Sequence, residues 1–269
     1  MERKQDQECC SAEVDDKSSM DDQSQKLLQT LEQASWDGLP LVKYCGCWVP
    51  AITFRTVLAA QTHFKAKDTD IILSTMPKSG TTWLKALTYS IANRNAFPID
   101  QSPLLTSTPH MLVPFLDLNV YWEQDNPHLE NIPSPRIFST HMHFKMLPDS
   151  IHETDCRIIH ICRNPLDQFV SHINFSSKTI LEKNPGKVLF LKYEDLKEDI
   201  TSQVKKIAEF IGFPFSVEEE EEGLIDHISG LCSFETLCNL AVKRQVISIV
   251  LRRIVPSSGR DKLETGPII

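Results

Sequence analysis

The hydrophobic pattern of the chain consists of short apolar runs, each followed by an amphipathic stretch. Three runs, at 70–75, 157–162 and 187–193, contain consecutive rather than alternating apolar residues. Such runs are typical of strands that are buried on both faces of a parallel sheet. The pattern therefore predicts three parallel strands at the centre of the fold.

A helical stretch follows each predicted strand, at 81–91, 166–175 and 200–211. Apolar residues recur at helical spacing in the first and the last of them. Pro165 supplies a first-turn proline for the second, and Gly212 ends the third. The repeated order of strand, loop and helix predicts an α/β fold of three layers, with a parallel sheet flanked by helices. Ligands of such sheets bind at the carboxyl ends of the strands.

The two ends of the chain differ from this central pattern. Residues 1–37 are mostly polar and acidic, and we expect them to form a disordered tail. Residues 38–240 carry the strand and helix signals and form the predicted domain. Residues 241–269 form a second tail, which we expect to be amphipathic or disordered.

Charge and composition narrow the function classes. The chain has 28 Lys and Arg against 36 Asp and Glu, a formal net charge of −8, which argues against nucleic acid as a partner. No apolar run reaches the roughly 20 residues of a membrane span, so we expect no membrane partner. The 8 cysteines show no CxxC spacing and are expected to be reduced. Without an apolar leader sequence, a cytoplasmic location is expected.

The loop PKSGTTW at 77–83 joins the first strand to its helix and is the main candidate for chemistry. A helix N-terminus offers free N–H groups to an anion, Gly80 permits close approach, and Lys78 adds a positive charge. The spacing is not that of the ATPase loop, because Lys78 precedes a lone glycine, and the chain contains no GxGxxG. On these residues alone, a phosphate-binding loop and a simple capped helix start both remain open.

Four ordered motifs carry a resemblance to a known family. They are PKSGTTWLKAL, SPRIFSTHMHF, CRNPLDQFVSHINF and VLFLKYEDLKED, within a similar stretch from about residue 41 to residue 234. The set resembles the cytosolic sulfotransferases, particularly those of plants. The resemblance implies sulfuryl transfer from 3′-phosphoadenosine 5′-phosphosulfate, without a metal, through a P-loop-like phosphosulfate-binding loop. The implied acceptor is a hydroxyl group of a small metabolite, such as a flavonoid, a steroid-like hormone or a desulfo-glucosinolate.

The resemblance also assigns roles to residues. His141 falls on the catalytic base, and a neutral imidazole can accept the proton of an attacking hydroxyl near neutral pH. Lys78 would stabilise charge on the departing phosphate oxygen. Arg163 and Ser171 would bind the 3′-phosphate. The residues assigned to the donor are Lys78, Ser79, Gly80, Thr81, Thr82, Trp83, Arg163, Ser171, Tyr193 and Phe234.

Two departures from the family pattern leave alternatives open. The segment at 178–186 is much shorter than the family's helical insert, and no RKGxxGDW motif follows Phe234. A catalytically impaired or inactive protein of the same fold is therefore the alternative to an active enzyme. Phosphoryl transfer fits the order of Lys78 and Gly80 less well. The family's usual homodimer contact lies in the altered C-terminal region, which weakens the implied homodimer.

Overall fold

The computed structural model describes residues 19–163 and 186–239. Its first part is a helix, a three-stranded antiparallel sheet and a second helix. These elements are α1 (Met20–Thr30), β1 (Gln33–Trp36), β2 (Leu39–Tyr44), β3 (Cys47–Pro50) and α2 (Ala51–His63). The sheet order is β1-β2-β3, with β2 paired to both neighbours.

Four parallel strands form the central sheet. They are β4 (Ile71–Thr75), β5 (Ile137–Thr140), β6 (Arg157–Cys162) and β7 (Val188–Lys192), in the order β5-β4-β6-β7. The predicted parallel sheet is confirmed, and the three predicted strands agree with β4, β6 and β7 to within one residue at each end. The strand β5 is not among the predicted ones, because its sequence IFST has only two apolar residues.

Helices connect and cover these strands. The α-helices are α3 (Thr81–Asn93), α4 (Pro109–Leu112), α5 (Asp149–Glu153), α6 (Tyr193–Glu198), α7 (Ile200–Phe210), α8 (Val217–Glu221), α9 (Leu224–Leu231) and α10 (Phe234–Asn239). A π-helical turn spans Leu116–Val120, and 3₁₀ turns span Ile99–Gln101, Pro103–Leu105, Leu129–Asn131 and Phe144–Met146. The helices predicted at 81–91 and 200–211 correspond to α3 and α7. The one predicted at 166–175 lies outside the described residues.

Two hydrophobic clusters lie on opposite faces of the central sheet. Alternate strand residues belong to different clusters, as the period of two requires: Ile72 packs with α2, whereas Ile71 and Leu73 pack with α3, α7 and α9. The sheet is thus covered by helices on both faces, which confirms the α/β architecture. This packing holds the carboxyl ends of the strands in a fixed arrangement.

A buried ion pair joins the beginnings of β4 and β5. Nε and Nη2 of Arg136 donate to the two carboxylate oxygens of Asp70, at 2.8 and 2.5 Å, and the side chains of both residues are almost fully buried. The backbone N–H of Lys67 donates to the same carboxylate at 2.8 Å. Because breaking a buried pair leaves an uncompensated charge, these contacts fix the relative position of the two strands.

The N-terminal boundary differs from the expected disordered tail at 1–37. The helix α1 and the strand β1 lie inside that range, Met20 is buried in the core, and Nε of Arg55 donates to Asp21 at 2.5 Å. Three leucines pack against the same core cluster, namely Leu27, Leu28 and Leu31. These apolar residues are sparse among polar ones, so the composition of the segment did not indicate that α1 and β1 are ordered. Residues 1–18 lie outside the described part of the chain.

The structure also bears on the expected state of the cysteines and on the search for a membrane-spanning helix. Cys45 is disulfide-bonded, so the expectation that all cysteines are reduced is wrong at this position. Cys47, Cys156 and Cys232 are free thiols. Among the described residues, no helix combines the length and the apolar character needed to cross a membrane.

Candidate active site

The loop between β4 and α3 is a tight turn that requires glycine at one position. Gly80 has φ of 108°, and a Cβ added there would lie 2.8 Å from Cδ2 of Tyr193 and 3.3 Å from Cδ1 of Ile161. Any residue larger than glycine would therefore force the Tyr193 ring to move. Lys78 also has a positive φ, of 67°. The loop therefore approaches Tyr193 with its bare backbone, and its geometry depends on that contact.

The hydroxyl groups of this region connect the loop to the strand. Oγ of Ser79 donates to the carbonyl of Met76 at 2.7 Å, so it closes the turn. Oγ1 of Thr81 lies 2.8 Å from Oγ1 of Thr75 at the end of β4. The free N–H groups at the start of α3, a helix of 13 residues, are left to attract an anion.

A cleft of about 390 Å³ opens beside this loop at the carboxyl ends of the strands. It is lined by Pro77, Lys78, Gly80, Thr81, Thr82, Trp83, His110, Phe115, His141, Arg163, Tyr193, Cys232, Phe234 and Leu237. Most of the residues assigned from the sequence thus meet in one place. Ser79 is buried and does not line the cleft, and Ser171 lies outside the described residues.

His141 follows β5 and is held by hydrogen bonds on two sides. Its Nδ1 lies 2.7 Å from the carbonyl oxygen of Thr75. A carbonyl can only accept, so Nδ1 carries the proton and Nε2 keeps its lone pair. The backbone N–H of His141 donates to both oxygens of Asp117, at 3.2 Å each. This arrangement fixes the tautomer that a general base needs.

Burial sets the charge of the imidazole. Desolvation lowers the pKa of His141 below its usual value, and the nearby carboxylate of Asp117 opposes that shift. Desolvation also raises the pKa of Asp117, whereas His141 opposes the rise. Because a lowered pKa favours the unprotonated form, the imidazole is neutral at neutral pH.

Aromatic and cationic groups line the other side of the cleft. The rings of Trp83 and Tyr193 contact edge to face, with centroids 5.6 Å apart. The guanidinium of Arg163 lies 4.6 Å from the centroid of the Tyr193 ring. Phe234 is 81% exposed at the rim. Flat aromatic surfaces beside a guanidinium can hold a base and a phosphate.

Sequence reasoning missed two residues that line the cleft, His110 and Phe115, and one buried residue behind them, Lys85. Nζ of the fully buried Lys85 lies 3.2 Å from Nδ1 of His110 and 3.2 Å from the centroid of the Phe115 ring. The Phe115 ring is in turn 4.7 Å from that of His141. Burial lowers the pKa of Lys85 to about 6, against the opposing effect of Asp117. Lys85 lies three residues after Thr82 on α3, a spacing that could have placed it near the loop.

The fold and the cleft define an α/β protein with a ligand site at the ends of parallel strands. A family model described as "Sulfotransferase domain" matches residues 68–186 and 177–247. The chain therefore belongs to the sulfotransferase family. The two matches overlap at 177–186.

Relatives from Arabidopsis thaliana place it among the plant-type cytosolic sulfotransferases. Cytosolic sulfotransferase 15 is 36% identical over 266 residues, covering 84% of this chain and 74% of the relative. Cytosolic sulfotransferase 14 is 39% identical over 232 residues, covering 71% and 67% of the two chains.

Solved structures agree on the fold. An Arabidopsis thaliana protein provisionally described as a steroid sulphotransferase is 33% identical, with a TM-score of 0.67, and the match covers 92% of this chain and 98% of that one. Retinol dehydratase, solved with androsterone and the inactive cofactor PAP, has a TM-score of 0.54 at 18% identity, and the match covers 82% and 80% of the chains.

Proposed function

We propose that the chain catalyses sulfuryl transfer from 3′-phosphoadenosine 5′-phosphosulfate to a hydroxyl group of a small metabolite. The observation that carries this proposal is the convergence of Lys78, His141 and Arg163 on one cleft at the strand ends. A base, a cation beside an anion-binding loop and a guanidinium are the groups that this reaction needs. Membership of the sulfotransferase family supports the same reaction.

His141 acts as the general base in this proposal. The acceptor oxygen attacks the sulfur, the bond from sulfur to the phosphate oxygen breaks, and the acceptor proton passes to Nε2 of His141. The carbonyl of Thr75 orients the ring because it holds the Nδ1 proton. Lys78 and the N–H groups of the loop stabilise the charge that develops on the phosphate oxygen.

The aromatic side of the cleft suits the nucleotide part of the donor. Trp83 and Tyr193 offer ring surfaces to the adenine, Phe234 covers it from the rim, and Arg163 takes the 3′-phosphate together with Ser171. The bare backbone at Gly80 lets the Tyr193 ring lie directly against the loop. Nε1 of Trp83 is buried without a hydrogen-bond partner among the described residues, so a donor group is available there. Retinol dehydratase, a protein of the same fold, has been solved with PAP.

The acceptor side of the cleft is formed around His110, Phe115 and His141. An aromatic wall beside the base suits a flat hydroxylated molecule. Flavonoids, steroid-like hormones and desulfo-glucosinolates remain the proposed classes, and one relative is provisionally described as a steroid sulphotransferase. The names of the relatives support a cytoplasmic location.

A catalytically impaired protein is the second candidate. The family match ends at residue 247, and the RKGxxGDW motif that the resemblance leads one to expect does not follow Phe234. Losing charge-assisted contacts to the 3′-phosphate, each worth about 1.5–3 kcal/mol, would weaken donor binding strongly.

Radiolabelled sulfuryl transfer tests the proposed function. The full chain is incubated with the labelled donor and a panel of flavonols, steroids and desulfo-glucosinolates, beside the variants His141→Ala and His227→Ala. We expect wild type to label an acceptor, His141→Ala to lose roughly 100-fold or more in rate, and the exposed control His227→Ala to match wild type. Equal rates in His141→Ala would remove the base assignment. No transfer by wild type to any acceptor would favour the impaired alternative.

A further inference from the structure

Lys85 is a buried lysine that the proposed reaction does not use. It lies on α3, one turn from the loop, and its side chain is completely buried. Burying a lysine is costly unless its N–H groups find partners. Within the described residues, Lys85 contacts His110 and the face of the Phe115 ring, and both of those residues line the cleft.

A chain of hydrogen bonds leads from this lysine to the loop. Nζ of Lys85 lies 3.2 Å from Nδ1 of His110, and Nε2 of His110 lies 3.2 Å from Oγ1 of Thr82. The imidazole ring therefore connects the buried amine to a hydroxyl group in the wall of the cleft. The ring of His110 is also stacked on Phe115, with centroids 5.6 Å apart, which limits its rotation.

An anion in the cleft determines which group donates in each of these hydrogen bonds. A hydroxyl that faces an anion gives its hydrogen to it, so the Thr82 oxygen is left to accept from Nε2 of His110. Nδ1 of His110 then has no proton and must accept from Nζ of Lys85. The Phe115 ring beside Nζ supports this direction, because the electron-rich face of an aromatic ring attracts the hydrogen of an N–H group.

We propose that Lys85 is a positioning residue which, through His110, orients the Thr82 hydroxyl as a hydrogen-bond donor toward the phosphosulfate end of the donor. This inference rests on the proposed function. It assigns Lys85 a role in binding geometry although its side chain does not reach the cleft.

A double-mutant cycle tests the proposal. The affinity of the full chain for adenosine 3′,5′-bisphosphate is measured calorimetrically for wild type, Lys85→Met, Thr82→Val and the double variant. If Lys85 acts through Thr82, each single variant binds about tenfold more weakly, and the double variant is no weaker than Thr82→Val alone. A roughly hundredfold loss in the double variant would show independent effects and overturn the proposal. Unchanged affinity in Lys85→Met would overturn it as well.

Two further variants separate positioning from stability. Lys187 is also buried, and it donates to the carbonyls of His152 and Thr154 outside the cleft. Lys187→Met is expected to lower stability and to leave the nucleotide affinity unchanged. His110→Phe keeps a ring against Phe115 but removes both hydrogen bonds that connect Lys85 to Thr82. It must therefore weaken nucleotide binding as much as Lys85→Met does, and it tests the proposal even if Lys85→Met folds poorly. Wild-type affinity in His110→Phe would refute the proposal. Absence of binding by wild type would instead refute the proposed function, and this inference with it.

Discussion

Individual residues determine the chemistry of the cleft through contacts with distant parts of the chain. The tautomer of His141 is fixed by the carbonyl of Thr75, which is 66 positions away in the sequence. The motif around His141 predicted a base, but not which nitrogen carries the proton. The pairing of Lys85 with His110, 25 positions away, could not be predicted either, because only the fold brings α3 and α4 together.

The pH dependence of the reaction tests the electrostatics at His141. The carboxylate of Asp117 raises the pKa of His141, whereas burial lowers it. Asp117→Asn removes the first effect and keeps an acceptor oxygen for the His141 N–H. The pKa of His141 then falls, and the acid side of the kcat/KM profile moves to lower pH.

The matched control for this profile is Asp226→Asn, an exposed position on α9. It should leave the profile unchanged. A shift of the Asp117→Asn profile to higher pH would show that the carboxylate does not stabilise the imidazolium.

At the scale of the elements, the sequence predicted the strands that consist of consecutive apolar residues. The strands β4, β6 and β7 have such runs, and their predicted limits agree with the structure. The sequence pattern did not predict the short strand β5, because its position depends on pairing with β4 and on the Arg136–Asp70 contact. The helix α1 was missed because its few apolar residues matter only once α2 is beside it.

The loop before α3 is expected to depend on Gly80. In Gly80→Ala the new Cβ would collide with the Tyr193 ring, so Tyr193 must move. We expect about tenfold or weaker binding of adenosine 3′,5′-bisphosphate, and a loss of about 1–2 kcal/mol in stability from the positive φ.

Gly38→Ala is the control for that loop variant. Gly38 has φ of 80° but no atom within 4 Å of an added Cβ. It should show a comparable cost in stability, measured by urea unfolding, with unchanged nucleotide affinity. If Gly80→Ala and Gly38→Ala bound adenosine 3′,5′-bisphosphate equally well, the contact of Gly80 with Tyr193 would have no role in nucleotide binding.

The ion pair of Asp70 with Arg136 is expected to be the most sensitive charge contact of the sheet. Asp70→Asn leaves the guanidinium of Arg136 buried without its counter-charge, which should cost about 3–5 kcal/mol in the free energy of unfolding. The exposed pair of Glu32 with Lys43 is the comparison, and Glu32→Gln should cost less than about 1 kcal/mol. Similar losses in urea unfolding would contradict the assignment of the buried pair.

At the scale of the whole molecule, motifs that are distant in the sequence lie together at the carboxyl ends of the parallel strands. The sequence motifs identified the family, and the structure places four of their described residues, Lys78, His141, Arg163 and Tyr193, around one cleft. Local patterns could not give the depth of that cleft or the buried groups behind it, since these arise from packing between α3, α4 and the π-helical turn. Nucleotide binding therefore tests whether several motifs are arranged correctly together, and not the role of a single motif.

Calorimetric titration of the wild-type chain with adenosine 3′,5′-bisphosphate, beside ATP, is the most direct test of this account. Because Arg163 and its neighbours are assigned to a 3′-phosphate, the bisphosphate should give saturable heat and bind about tenfold or more tightly than ATP. No heat at millimolar bisphosphate, or tighter binding of ATP, would contradict the account.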